Sequence, residues 1–135
     1  MTYEEARNAI QGHLDANWSA TPAGTIAYDN LPFTPPSADP WLRLSLRNAA
    51  GRQASFGAAT RRYRRRGVAL LQIFVPEGEG PSEAMQLGDT AVNLFEGVVL
   101  SGNLRFGPVA LREIGVEDGW FQVNVAADYS FDEVK

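Results

Sequence analysis

Apolar residues recur along this 135-residue chain with two different periods. Tyr3, Ala6, Ile10, Leu14 and Trp18 fall three or four apart, so they line one face of a helix over residues 3–17. Thr2 and Glu5 have the capping-box spacing at its start. A second stripe, Ala84, Leu87, Gly88, Ala91, Leu94 and Phe95, predicts a helix with Pro81 in its first turn and Ser82 or Gly80 as cap. Other stretches have strand character. Gly67–Val75 is apolar except for Gln72, which predicts a strand covered on both faces. In Trp41–Arg47, Leu42, Leu44 and Leu46 point one way, and Trp41, Arg43, Ser45 and Arg47 the other. Trp120–Phe131 alternates longest, with Phe121, Val123, Val125, Ala127, Tyr129 and Phe131 on its core side.

Breakers divide these elements. Asp29-Asn30 stops a short strand, Thr25–Tyr28. Leu31–Pro36 lacks the donors for a regular ladder and reads as a rigid linker pinned by Leu31 and Phe33, rather than as a Pro-rich peptide ligand. Pro76–Gly80 is a turn between the buried strand and the central helix. Val98–Leu100, a Ser101–Asn103 turn and Leu104–Phe106 follow, and Gly107-Pro108 is expected to break the chain before a strand over Val109–Val116. Glu117-Asp118-Gly119 is a hairpin turn. If Trp41–Arg47 pairs with Gly67–Val75, residues 48–66 form a long, basic, mobile arm. The order gives one α+β domain over residues 1–135: a mostly antiparallel sheet with the N-terminal and central helices packed on one face.

Composition narrows the function classes. The apolar fraction of 44% and charged fraction of 21% are ordinary for a soluble globular chain. No run approaches the roughly 18 apolar residues of a membrane span. Residues 1–10 lack the basic-then-apolar pattern of a signal peptide, so no membrane partner is expected and the cytoplasm is the default location. Without cysteine there is no disulfide, thiolate nucleophile or Cys-ligated zinc. His13 is the single histidine and reads as a helix-boundary residue. The net charge of −4 conceals an asymmetry. Between Pro40 and Pro76 there are eight arginines and no acid; all sixteen acids lie elsewhere, with four basic residues. Such separation along a chain marks two surfaces with different partners.

Catalytic chemistry finds little support. Gly78-x-Gly80 lacks the rest of a phosphate loop and is flanked by Glu77 and Glu79. Glu117 with Asp118 reads as a solvated turn rather than an acid–base pair, and Glu77, Glu79 and Glu83 have no recognised metal spacing. No enzyme activity, cofactor or metal is expected. The strong local signal is Arg61-Arg62-Tyr63-Arg64-Arg65-Arg66. It suits phosphate contact with nucleic acid, pairing with an acidic partner or neighbouring subunit, or a solvated loop. Trp41 between outward arginines (with Arg43 and Arg47 as companions) reads equally as an interface anchor or a tolerated surface side chain.

The order of several stretches carries a resemblance. A helix ends near Trp18; Ile26-Ala27-Tyr28-Asp29-Asn30 precedes Phe33-Thr34-Pro35-Pro36; then come Trp41-Leu42-Arg43-Leu44-Ser45 and an arginine-containing segment before Gly67. Leu71–Pro76 with Gly78-x-Gly80, a helix with Asp89 and Phe95, and Gly119-Trp120-Phe121-Gln122 leading the last strand complete it. In this order the chain resembles the tail terminator (tail completion, minor tail protein U-like) proteins of long-tailed bacteriophages and prophages. The resemblance implies a virion structural protein of α+β fold, assembled in the host bacterial cytoplasm, that caps the tail tube as a hexameric ring. It implies an end to tube polymerisation and a head–tail joining surface. The implied partners are further copies of itself, the tail tube protein and head–tail connector proteins, with DNA passing through the lumen. On that reading Arg61–Arg66 is a subunit, lumen or DNA contact, and Trp41, Arg43 and Arg47 form an interface. A different connector or tube protein, or a nucleic-acid-binding accessory domain, remains the alternative.

Overall fold

Thr2 starts helix α1 (Tyr3–Asn17): its Oγ accepts from the Glu5 amide at 3.1 Å, while the Glu5 carboxylate accepts from the Thr2 amide at 2.9 Å. The computed structural model describes residues 1–49, 51–55 and 60–135. After α1 come strands β1 (Ile26–Tyr28), β2 (Trp41–Asn48), β3 (Arg52–Gln53) and β4 (Arg62–Pro76). Helix α2 (Ser82–Phe95) and strands β5 (Val99–Leu100), β6 (Leu104–Glu117) and β7 (Trp120–Val134) follow. The strands form one sheet in the order β1-β2-β4-β7-β6-β5, with β3 added to β4. Every pairing is antiparallel except β1 on β2.

Both helices share one face of that sheet. α2 lies against β4, β6 and β7, and Ala84, Leu87, Ala91 and Phe95 are buried there. α1 contributes Ala6, Ile10 and Leu14 to the same core, which the strands complete with Leu42, Leu44, Leu71, Ile73, Val123, Val125 and Phe131. His13 joins the helices. Its Nε2–H donates to the Leu94 carbonyl at 2.8 Å, and its ring meets the edge of Phe95 at 5.8 Å between centroids. The boundary role expected for His13 is thus a clasp closing the far end of α2 onto α1.

Three local expectations change. The first concerns residues 48–66. Arg62–Arg66 begin β4 and pair in register with Ser130–Val134, so they are regular strand and not a mobile arm. The reason lies far along the chain: β7 continues past Phe131 and supplies both ladder partners and the carboxylates of Asp132 and Glu133. Residues 50 and 56–59 of the expected arm lie outside the described residues. Second, Gly107-Pro108 does not end a strand. β6 runs through it with a bulge between Phe106 and Val109, which absorbs the donor Pro lacks. Third, Leu31 does not pin the linker, being 60% exposed; Phe33 does, packing on Trp41 at 5.2 Å.

Candidate functional site

Alternation along β4 sorts the arginine tract onto two faces. Tyr63 and Arg65 fall on the helix side with Gly67, Ala69 and Leu71; Arg62, Arg64 and Arg66 fall on the outer side. Register across the sheet adds further outer-face arginines: Arg43 opposite Gln72, Arg47 opposite Val68, Arg105 opposite Ser130 and Arg112 opposite Asn124. The run of charge in sequence therefore becomes a basic sheet face in space, and Arg105 and Arg112 join it from outside the tract. Only strand register could have found those two.

The arginines differ in what they touch. Arg64 holds Asp132 through two hydrogen bonds, Nε at 2.9 Å and Nη2 at 3.2 Å, and Arg62 reaches the same carboxylate at 3.4 Å. Hydrogen bonding from Arg64 outweighs partial burial and lowers the Asp132 pKa; the carboxylate in turn raises that of Arg64. Arg65 pairs with Glu133 at 3.1 Å and lies between the rings of Tyr3 and Tyr63, at 5.3 and 5.5 Å. Its stem is packed between the two rings and little of its side chain is exposed. Arg47 meets Asp29 at 3.3 Å, and Asp29 also accepts from Ser45 Oγ at 2.9 Å. Among the described residues Arg43, Arg61, Arg66, Arg105 and Arg112 make no ion pair.

Trp41 sits on the outer face as its alternation requires, yet it is only 7% exposed. Phe33 covers it, Phe74 stacks on it at 4.1 Å and Trp120 meets it edge-on at 6.0 Å. The residues after β1 fold back over the outer face of β2, which sequence alternation alone does not reveal. Arg43 and Arg47 beside it are half-buried and exposed respectively.

The opposite end of the sheet is acidic. β4 is 15 residues long, so its ends stand roughly 45 Å apart at about 3.3 Å per residue. Beyond Pro76 the turn carries Glu77 and Glu79. Next to it is the β6–β7 hairpin, whose end carries Glu117 and Asp118. The Glu77 amide donates to the Gly119 carbonyl at 3.1 Å, joining the two turns. Asp118 (φ 53°) and Gly119 (φ 85°) are both left-handed, as a tight two-residue hairpin needs. Val116 and Ile114, just behind it on β6, are 59% and 48% exposed. Among the described residues no group of three or more His, Asp or Glu is placed to hold a metal ion, and no helix is long and apolar enough to cross a membrane.

A protein-family model described as phage tail terminator protein matches residues 5–129. The chain belongs to the phage tail terminator family. A solved chain superposes on it with a TM-score of 0.73 and 29% identity, covering 96% of this chain and 95% of its own length. No curated protein matches it. A tail terminator is a virion tail component that works with other tail and head proteins, and membership gives the charged faces a structural rather than a catalytic context.

Proposed function

We propose that this tail terminator closes into a ring, a hexamer, on the end of the tail tube. The ring stops further addition of tube protein and offers its free side to the head–tail connector proteins, within the tail as it assembles in the host bacterial cytoplasm. The observation that carries this reading is the end-to-end charge separation of a single domain. Arg66 and Arg105, which make no ion pair among the described residues, stand towards one end of the sheet, and exposed carboxylates backed by exposed Ile114 and Val116 stand at the other. A subunit with two unlike, mutually attractive ends associates head to tail, and a head-to-tail contact closes into a ring when its rotation divides a full turn. Arg43 and Arg112, elsewhere on the basic face, are suited to DNA phosphates passing through the lumen.

The test is polymerisation of tail tube protein with and without this chain, with tube lengths read by electron microscopy. Capped tubes of limited length with a ring at one end are the expected result. Unlimited growth with no density added at tube ends would contradict the reading. Salt-sensitive binding of duplex DNA by a subunit that ignores tube ends would instead favour the nucleic-acid accessory role.

A further inference from the structure

Arg66 and Arg105 have an unusual setting. Each lies opposite Ser130, one from β4 and one from β6, so the two guanidinium-bearing side chains flank a single hydroxyl on the outer face. Beside them opens a groove of about 560 Å³ whose wall also includes Val68, Pro108 and Tyr129. Asp128 is the one carboxylate that lines it. The neighbouring arginines, Arg62 and Arg64, are occupied by Asp132, whereas Arg66 and Arg105 make no ion pair among the described residues.

We propose that the β6–β7 hairpin tip of one subunit seats in this groove of the next copy. Glu117 and Asp118 meet Arg66 and Arg105, and Val116 covers the apolar wall at Val68 and Pro108. The inference rests on the ring reading and names its contact. Three features make a second copy the occupant. The tip presents carboxylates where the groove presents unpaired guanidinium groups, and desolvated pairs of this kind are strong when both partners are preorganised. The tip is preorganised by its left-handed turn and by the Glu77–Gly119 hydrogen bond. Tip and groove lie towards opposite ends of the same strands, so every subunit carries one of each and the contact repeats without using itself up. Val116, which pairs with Phe121 across the hairpin yet stays 59% exposed in the subunit, then gains further apolar cover.

The absence of cysteine makes the contact directly trappable. Glu117→Cys combined with Ser130→Cys, mildly oxidised under assembly conditions, is expected to give a ladder of covalent oligomers ending at the ring. Each single variant is expected to give no ladder. A second experiment uses charge. Arg66→Glu with Arg105→Glu, and separately Glu117→Arg with Asp118→Arg, should each abolish assembly while circular dichroism stays native. Mixing the two variants should restore it, because each then offers the end the other needs. Assembly of either variant alone at wild-type strength, or no recovery on mixing, overturns the contact. A ring detected by light scattering without the 117–130 crosslink also overturns it and leaves the ring reading standing. A wild-type chain that stays monomeric at every concentration and on tube ends removes the ring reading itself. Loss of DNA binding with unchanged assembly in the Arg66/Arg105 variant would assign the groove to nucleic acid and overturn the proposal.

Discussion

Arg64 and Asp132 lie directly opposite each other on β4 and β7 and are joined by two hydrogen bonds, at 2.9 and 3.2 Å. This pair converts an arginine tract into strand. It also makes stability depend on pH in a definite direction. The Asp132 pKa is lowered in the folded state, chiefly by the Arg64 hydrogen bond. Its contribution is therefore complete above the unfolded aspartate value of about 3.9 and is lost as pH falls through the folded value. Asp132→Asn should melt below the wild type at pH 7, with a gap that stays constant down to about pH 5 and closes below about pH 4. Thermal melts of both proteins across that range check it; a gap that widens in acid would refute it.

Arg65 and Arg66 are adjacent and should respond oppositely to the same substitution. Arg65 is packed between Tyr3 and Tyr63 and holds Glu133. Arg65→Ser should cost about 1–3 kcal/mol of stability. Arg66→Ser should leave the denaturation midpoint within about 0.5 kcal/mol of wild type and weaken assembly. Urea titrations beside light scattering separate the two effects.

Gly67 sits between Asn48 and Tyr129 in the middle of the ladder. A Cβ there would overlap the Tyr129 ring and stand 2.8 Å from the Arg47 carbonyl. Tyr129 cannot swing aside cheaply, because its hydroxyl donates to Asn48 Oδ1 at 2.9 Å. Gly67→Ala should therefore destabilise by about 1–3 kcal/mol, although alanine is otherwise no worse in a strand. Equilibrium unfolding measures this; an unchanged midpoint would show that the sheet opens to admit a methyl group.

Trp41 and Arg43 stand two residues apart on the same face. Trp41 is buried by Phe33, Phe74 and Trp120. Trp41→Ala should cost about 3–5 kcal/mol, the loss expected of a core aromatic. Arg43→Ser should barely change stability. The comparison by thermal melt decides whether the outer-face aromatic cluster is a second core or a partner surface.

Local periodicity made much of this fold legible. The α1 stripe and its Thr2–Glu5 cap, the alternation of Trp41–Arg47 and the Asp118-Gly119 turn are set by residues a few positions apart, and their bounds agree with the structure to within a residue or two. What sequence did not disclose depends on distant partners. Arg62–Arg66 read as a loop because their counter-charges, Asp132 and Glu133, lie some seventy residues away. Trp41 read as exposed because alternation names a face but not what folds over it. Arg105 entered the basic face only through its register with Ser130. The charge asymmetry was visible in composition; that its arginines gather on one sheet face, with Glu77, Glu79, Glu117 and Asp118 at one end of the sheet, required the pairing of β4, β6 and β7.

The most direct test of the central claim is the absolute mass of the purified protein by light scattering, across concentration, alone and after addition of tail-tube protein. The account predicts a closed species of six chains, free or on tube ends, that halts tube growth. A strict monomer that leaves the tubes growing would contradict it.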